Sequence, residues 1–82
     1  RKQSERRKLE HSATKLEAAI LELEEEQKLV SGKLSDPEFY ENGAAAKELN
    51  IKAGHIAKYL GEKNYEWELI AEKLSDLLED RP

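Results

Sequence analysis

Starting at Leu9 and stepping alternately by four and three residues, the chain meets Leu9, Ala13, Leu16, Ile20, Leu23, Gln27, Val30 and Leu34. A second walk, by three and then four, meets Ala46, Leu49, Ala53, Ile56, Leu60, Lys63, Trp67, Ile70, Leu74 and Leu77. Only Gln27 and Lys63 are polar. A period of 3.5 held for about four heptads in each half draws one narrow apolar stripe down each of two helices, and neither a strand nor an unpatterned chain produces it. This decides against disorder, which the 39% content of charged residues and the scarcity of aromatics would otherwise suit.

A helix with so narrow a stripe needs a partner, and the nearest one is the other half of the same chain. The seams therefore predict an all-α fold, an antiparallel two-helix coiled-coil hairpin with a short helical turn at its tip. Its expected parts are a basic linker or helix start over residues 1–8, a first helix over about 5–34, a tip over 35–43 and a second helix over about 44–79, with the hairpin domain as a whole running 9–82. Each arm would run roughly 40 Å. Antiparallel pairing sets Trp67 against Ala13 or Leu16. A monomeric hairpin is favoured over a homodimer joined through the same seams. Each buried seam Leu or Ile contributes ~1.5 to 3 kcal/mol before conformational entropy is subtracted, so a hairpin of this size is stable only by a small margin. A polar residue in a seam commonly fixes register, and Lys63 can carry its ammonium outward along its aliphatic stem. Gly54 and Gly61 cost the second helix up to about 1 kcal/mol each relative to Ala, which raises the question of a close helix approach or a bend.

Between the seams lies KLSDPEFYENG, residues 33–43. Asp36 before Pro37 has the form of an N-cap followed by a first helical residue, and Ser35 with Glu38 has capping-box spacing, so PEFYEN reads as one short helical turn. Asn42 and Gly43, both tolerant of positive φ, would stop it. Phe39 and Tyr40 would then lie over the end of the coiled coil, either as its lid or as tip groups offered for base stacking or for docking on a partner, the lid reading weighing more for Phe39 than for Tyr40.

The formal charge of −4 conceals an uneven distribution. Residues 1–8 carry Arg1, Lys2, Arg6, Arg7 and Lys8 against Glu5 alone, residues 9–26 carry six glutamates against Lys15, and residues 27–58 are slightly basic. An acidic stem thus separates two basic stretches. Phosphate contact needs lysine or arginine side chains, whose neutralisation of the backbone releases counterions. The candidate nucleic-acid-binding residues are Arg6, Arg7 and Lys8 near the start and Lys28, Lys33, Lys47, Lys52 and Lys58 toward the tip, with Lys28 and Lys33 on one arm expected beside Lys47 and Lys52 on the other. For any single lysine a solvated helix face is the ordinary alternative.

Catalytic chemistry finds no foothold in the sequence. Cysteine is absent, so no disulfide or thiolate site exists. His11 and His55 fall on different arms without a second ligand one turn away and read as surface residues, so no metal site is expected. Glu24, Glu25 and Glu26 read as a solvated face. No G-x-x-x-x-G-K-[ST] loop occurs, and no apolar run approaches the ~18 residues that suggest a membrane span.

With these features in place, the chain resembles the C-terminal coiled-coil domain of Uup-type ABC-F ATP-binding cassette proteins. The resemblance rests on the basic start, the tip LSDPEFYENG (residues 34–43) and the late YEWELIAEKL run (residues 65–74), in which Trp67 and Glu68 supply a W-E pair. It covers nearly the whole chain, with the tip its most specific part. It implies a non-catalytic piece of a larger cytoplasmic protein in which two ATP-binding cassettes precede this domain, so that ATP is a cofactor of the parent and none is expected here. It also implies nucleic acid as partner, DNA foremost, with ribosomal RNA or the ribosome as the wider family's targets. The alternative is a structural or protein-docking arm that contacts the ribosome or orients the cassettes. A third type, the coiled-coil arm by which some synthetases bind tRNA, lacks this tip.

Overall fold

A computed structural model describes the chain from Lys2 to Glu79, with side chains from Gln3 to Leu78. It is a helical hairpin: α1 spans Lys2–Leu34, a 3₁₀ helix spans Pro37–Glu41, and α2 spans Gly43–Glu79. The two long helices pack against each other along their length, and the tip helix touches both. The molecule is a rod of 64 × 14 × 14 Å. α1 begins earlier than residue 5 because Gln3 to Lys8 continue in helix, leaving no extended linker among the described residues.

The seams are the core. Every seam residue is buried or half-buried except Gln27, which is exposed. Burial is deepest toward the tip, where Val30, Ile56 and Leu60 form a cluster flanked by Ile20, Leu23, Leu34, Leu49 and Ala53. The core is one layer thick, and no described side chain is completely enclosed. Lys63 is half-buried in its seam, and its Nζ lies 3.4 Å from Glu66 Oε2 on the next turn, so the stem lies along the apolar stripe and the charge meets a carboxylate outside it. Trp67 lies at the level of Leu16 and donates its indole N–H to Glu17 Oε1 at 3.1 Å, the long-range side-chain hydrogen bond that pins the two arms in register.

At the tip, Asp36 caps the 3₁₀ helix as its sequence promises: its carboxylate accepts the Glu38 N–H at 3.0 Å and Pro37 takes the first helical position. The Ser35–Glu38 capping box does not form. Ser35 instead donates its hydroxyl to the Ser31 carbonyl at 2.8 Å, closing the last turn of α1. Asn42 and Gly43 also differ from expectation, since neither has positive φ. Asn42 does end the tip helix, donating its N–H to the Phe39 carbonyl at 3.2 Å, and it also starts α2, accepting the Ala45 N–H on its side-chain oxygen at 3.3 Å and the Ala46 N–H on its carbonyl at 3.1 Å. Phe39 is half-buried, whereas Tyr40 is 52% exposed.

Candidate nucleic-acid interface

The register of the hairpin sorts the basic residues by side. On α1 and α2 alike, the residue just before alternate seam positions lies on one flank of the interhelical contact. Ser12, before Ala13, and Lys73, before Leu74, line the same open groove together with Lys15, Leu16, Leu69 and Ile70. Lys33 stands just before Leu34 and Lys52 just before Ala53, two residues that pack on the same core cluster. With Trp67 at the level of Leu16, facing residues have numbers that sum to about 83, so Lys33 and Lys52 lie on this flank within about two residues of the same height, ~3 Å, one from each arm, and both are exposed. The opposite flank is the one on which Trp67 meets Glu17.

Lys28 and Lys47 do not join them. Five residues along a helix turn the side chain through ~140°, which carries Lys28 away from Lys33 and Lys47 away from Lys52 to the other side of the rod. The tip-side lysines thus form a level pair, Lys33 with Lys52, and two separate positions. Lys58 projects from the outer face of α2, six residues beyond Lys52 and opposite the seam.

The residues at the start of α1 separate likewise. Arg6 and Arg7 line a depression with Gln3 and Glu10, and Arg6 Nε is 2.7 Å from Glu10 Oε1, so part of its charge is committed within the helix. Lys8 turns the other way and lines a groove with Glu5, Leu9 and Lys73, on the flank of Lys33 and Lys52. Arg1 and the side chain of Lys2 lie outside the described residues, as do residues 80–82.

Between these two basic ends the same flank is mainly acidic, although Lys15 lines it together with Glu66 and Lys73. Glu26 stands half-buried just before the Gln27 seam position, and Glu66 holds the corresponding place before Trp67. Among the described residues, Lys33, Lys52 and Lys58 make no ion pair, whereas Lys63 is paired. Level positions across a coiled coil usually carry opposite charges that steady the pairing. Lys33 and Lys52 carry the same one, which the hairpin itself gains nothing from.

Sequence reasoning passed over several exposed apolar side chains that share this end of the rod. Leu29 is 70% exposed, Ile51 53% and Tyr59 51%. Off-seam apolar positions within each helix were the signal available. Among the described residues no group of three His, Cys, Asp or Glu side chains is placed to hold a metal ion, and no described helix is long and apolar enough to cross a membrane.

What these elements define as a class is a two-helix coiled-coil arm whose side chains of interest all lie on its surface. Comparison with known protein families, with curated proteins and with solved structures finds no match.

Proposed function

We propose that the hairpin is a non-catalytic nucleic-acid-binding arm, with DNA as its foremost ligand, that grips phosphates through basic side chains at its tip end. The observation that carries this reading is the exposed Lys33–Lys52 pair, one lysine from each arm at nearly the same height, neither of which makes an ion pair among the described residues. Two exposed lysines at nearly one height on one flank bring like charges near each other, which an anion between them would offset, and a phosphate backbone supplies such anions in series. Lys8, Arg7 and Lys58 add positive charge along the rod.

The likeness of LSDPEFYENG and YEWELIAEKL to Uup-type ABC-F proteins supports the same reading and supplies its setting. The arm would be attached to a pair of ATP-binding cassettes in a cytoplasmic protein, ATP being bound and hydrolysed there. The rod would carry the cassettes' conformational change to the nucleic acid, or to ribosomal RNA where the ribosome is the target. Phosphate contacts of this kind are independent of sequence, so the arm would recognise backbone and shape rather than a base code.

Fluorescence anisotropy with labelled duplex DNA, at salt concentrations from low to physiological, tests the proposal. Affinity should fall with salt, the log–log slope being about −0.9 for each phosphate contacted. The double reversal Lys33→Glu with Lys52→Glu should flatten that slope by about two such contacts. A slope unchanged by this variant overturns the assignment of the site. No measurable binding to duplex DNA or structured RNA at low salt overturns nucleic acid as the ligand and leaves a protein-docking arm as the better reading.

A further inference from the structure

Five aromatic residues occur in the chain, and the hairpin uses two of them internally: Trp67 ties the arms together and Phe39 lies half-buried at the tip. Three tyrosines remain exposed, and their surroundings differ. Tyr40 is bracketed by Glu38 and Glu41 in the tip helix. Tyr65 stands among Glu62, Glu66 and Glu68 on the acidic part of α2. Tyr59 also has acids near it, Glu62 one turn on and Glu26 on the facing arm, but it alone stands next to a lysine, Lys58, and it precedes Leu60 on the same flank that carries Lys52 two turns away, with Lys33 across from Lys52.

We infer that Tyr59 is a stacking platform for an unpaired base, and that the Tyr59–Lys52–Lys33 surface binds single-stranded nucleic acid in preference to duplex. The inference rests on the proposed phosphate contacts and adds what they would otherwise lack, a group that engages the face of a base. A ring 51% exposed, at a position where the coiled coil does not bury it, presents a π-face that every base can meet. Seven residues separate Tyr59 from Lys52, a rise of about 10 Å along α2, so a base on the ring leaves its backbone within reach of the lysine pair. Leu29 and Ile51, exposed in the same half of the rod, add apolar surface against which flanking bases or sugars can rest. His55 lies between Lys52 and Tyr59 on the outer side of the helix and offers a further donor.

Charge fixes the direction. Glu26 occupies the same flank on α1 at the level of Tyr59, and Glu62 follows one turn later on α2, so a polyanion cannot continue toward the base of the hairpin without meeting carboxylates. Tipward the flank offers Lys52 and Lys33 before the carboxylate of Glu48, so the strand runs from Tyr59 over that lysine pair. In a duplex both faces of each internal base are already stacked, which leaves the ring without a partner.

The test compares a 15-nucleotide oligothymidylate with a 15-unit abasic phosphodiester chain of the same charge, and both with a duplex, on the whole hairpin. The oligothymidylate should bind more tightly than the abasic chain, and Tyr59→Ala should remove that advantage, weakening oligothymidylate binding by ~5- to ~150-fold for one stacked base while leaving the abasic chain and the duplex unchanged. Tyr59→Phe should retain it, since stacking needs the ring and not the hydroxyl. Equal affinity for the oligothymidylate and the abasic chain overturns the stacking site even if both bind through Lys33 and Lys52. Loss of binding to all three probes in Tyr59→Ala, with helicity by circular dichroism unchanged, also overturns it, because a stacking contact cannot govern a chain without bases. Absence of binding by the unaltered hairpin to any probe overturns the phosphate reading together with this one.

Discussion

Glycine at 54 and 61 shows how a residue can oppose the element that contains it. Both lie inside α2, where glycine is the least favourable residue present for helix, and a Cβ built at either meets nothing within 4 Å. Close approach of the arms is therefore not their reason, and neither requires positive φ. Gly54→Ala and Gly61→Ala should each stabilise the hairpin by about 0.4 to 1 kcal/mol. For a chain of this length each kcal/mol corresponds to roughly 4 to 8 °C in Tm, so the double variant should melt measurably higher by circular dichroism. A lower Tm for either variant would mean that the glycine backbone serves a conformation other than this helix. Asn42 illustrates the converse problem, a residue whose type is informative but whose role is not. The same short amide that tolerates left-handed backbone can accept an N–H at a helix start, and the Asn-Gly pair announces a boundary without saying which helix owns it.

At the scale of elements, the seams were legible because burial repeats every 3.5 residues and nothing else in the chain does. The tip was legible in part, through Asp36 and Pro37. Its two caps, Asp36 on the 3₁₀ helix and Asn42 on α2, act on consecutive elements and share no hydrogen-bond partner. Asp36→Ala and Asn42→Ala should each destabilise by about 1 kcal/mol, read as a lowered midpoint in urea with little change in m, and their effects should add if the caps are independent. The candidate surface was the least legible part. Listing lysines near the tip is simple, but which ones face together depends on register, and register depends on how many residues the turn consumes. A slip of one residue would turn every side chain on that arm by ~100° about its axis and regroup the lysines. The Trp67–Glu17 hydrogen bond fixes that count, and no feature of the sequence marks Glu17 among six glutamates of the stem as its acceptor. Tyr59 escaped notice for a related reason, since its neighbourhood with Lys33 exists only once the second arm is laid against the first.

The whole rod sets a length scale for binding. Lys8 and Lys33 share a flank and lie 25 residues apart on one helix, a separation of about 38 Å along the axis, with Glu26 and Glu66 on the flank between them. A ligand that touches both basic ends must span that distance and pass over the acidic stretch without lying on it. Duplex DNA advances 3.4 Å per base pair along each strand, so roughly 12 base pairs cover the gap and a duplex of eight does not. A stiff duplex also bridges the acidic stretch, which a flexible strand would have to hold itself away from. Affinity per molecule should therefore rise abruptly between duplexes of 8 and 16 base pairs, by more than the increase in the number of overlapping sites, and the salt slope should steepen with it. Reversing Lys8 to Glu should abolish this step while leaving the 8-base-pair duplex bound at the tip as before. A smooth dependence on length in the unaltered hairpin would show that one end binds alone. Sedimentation under the same conditions should give a mass near 9.4 kDa for the free protein, so that two-ended binding is assigned to one rod and not to a pair of them.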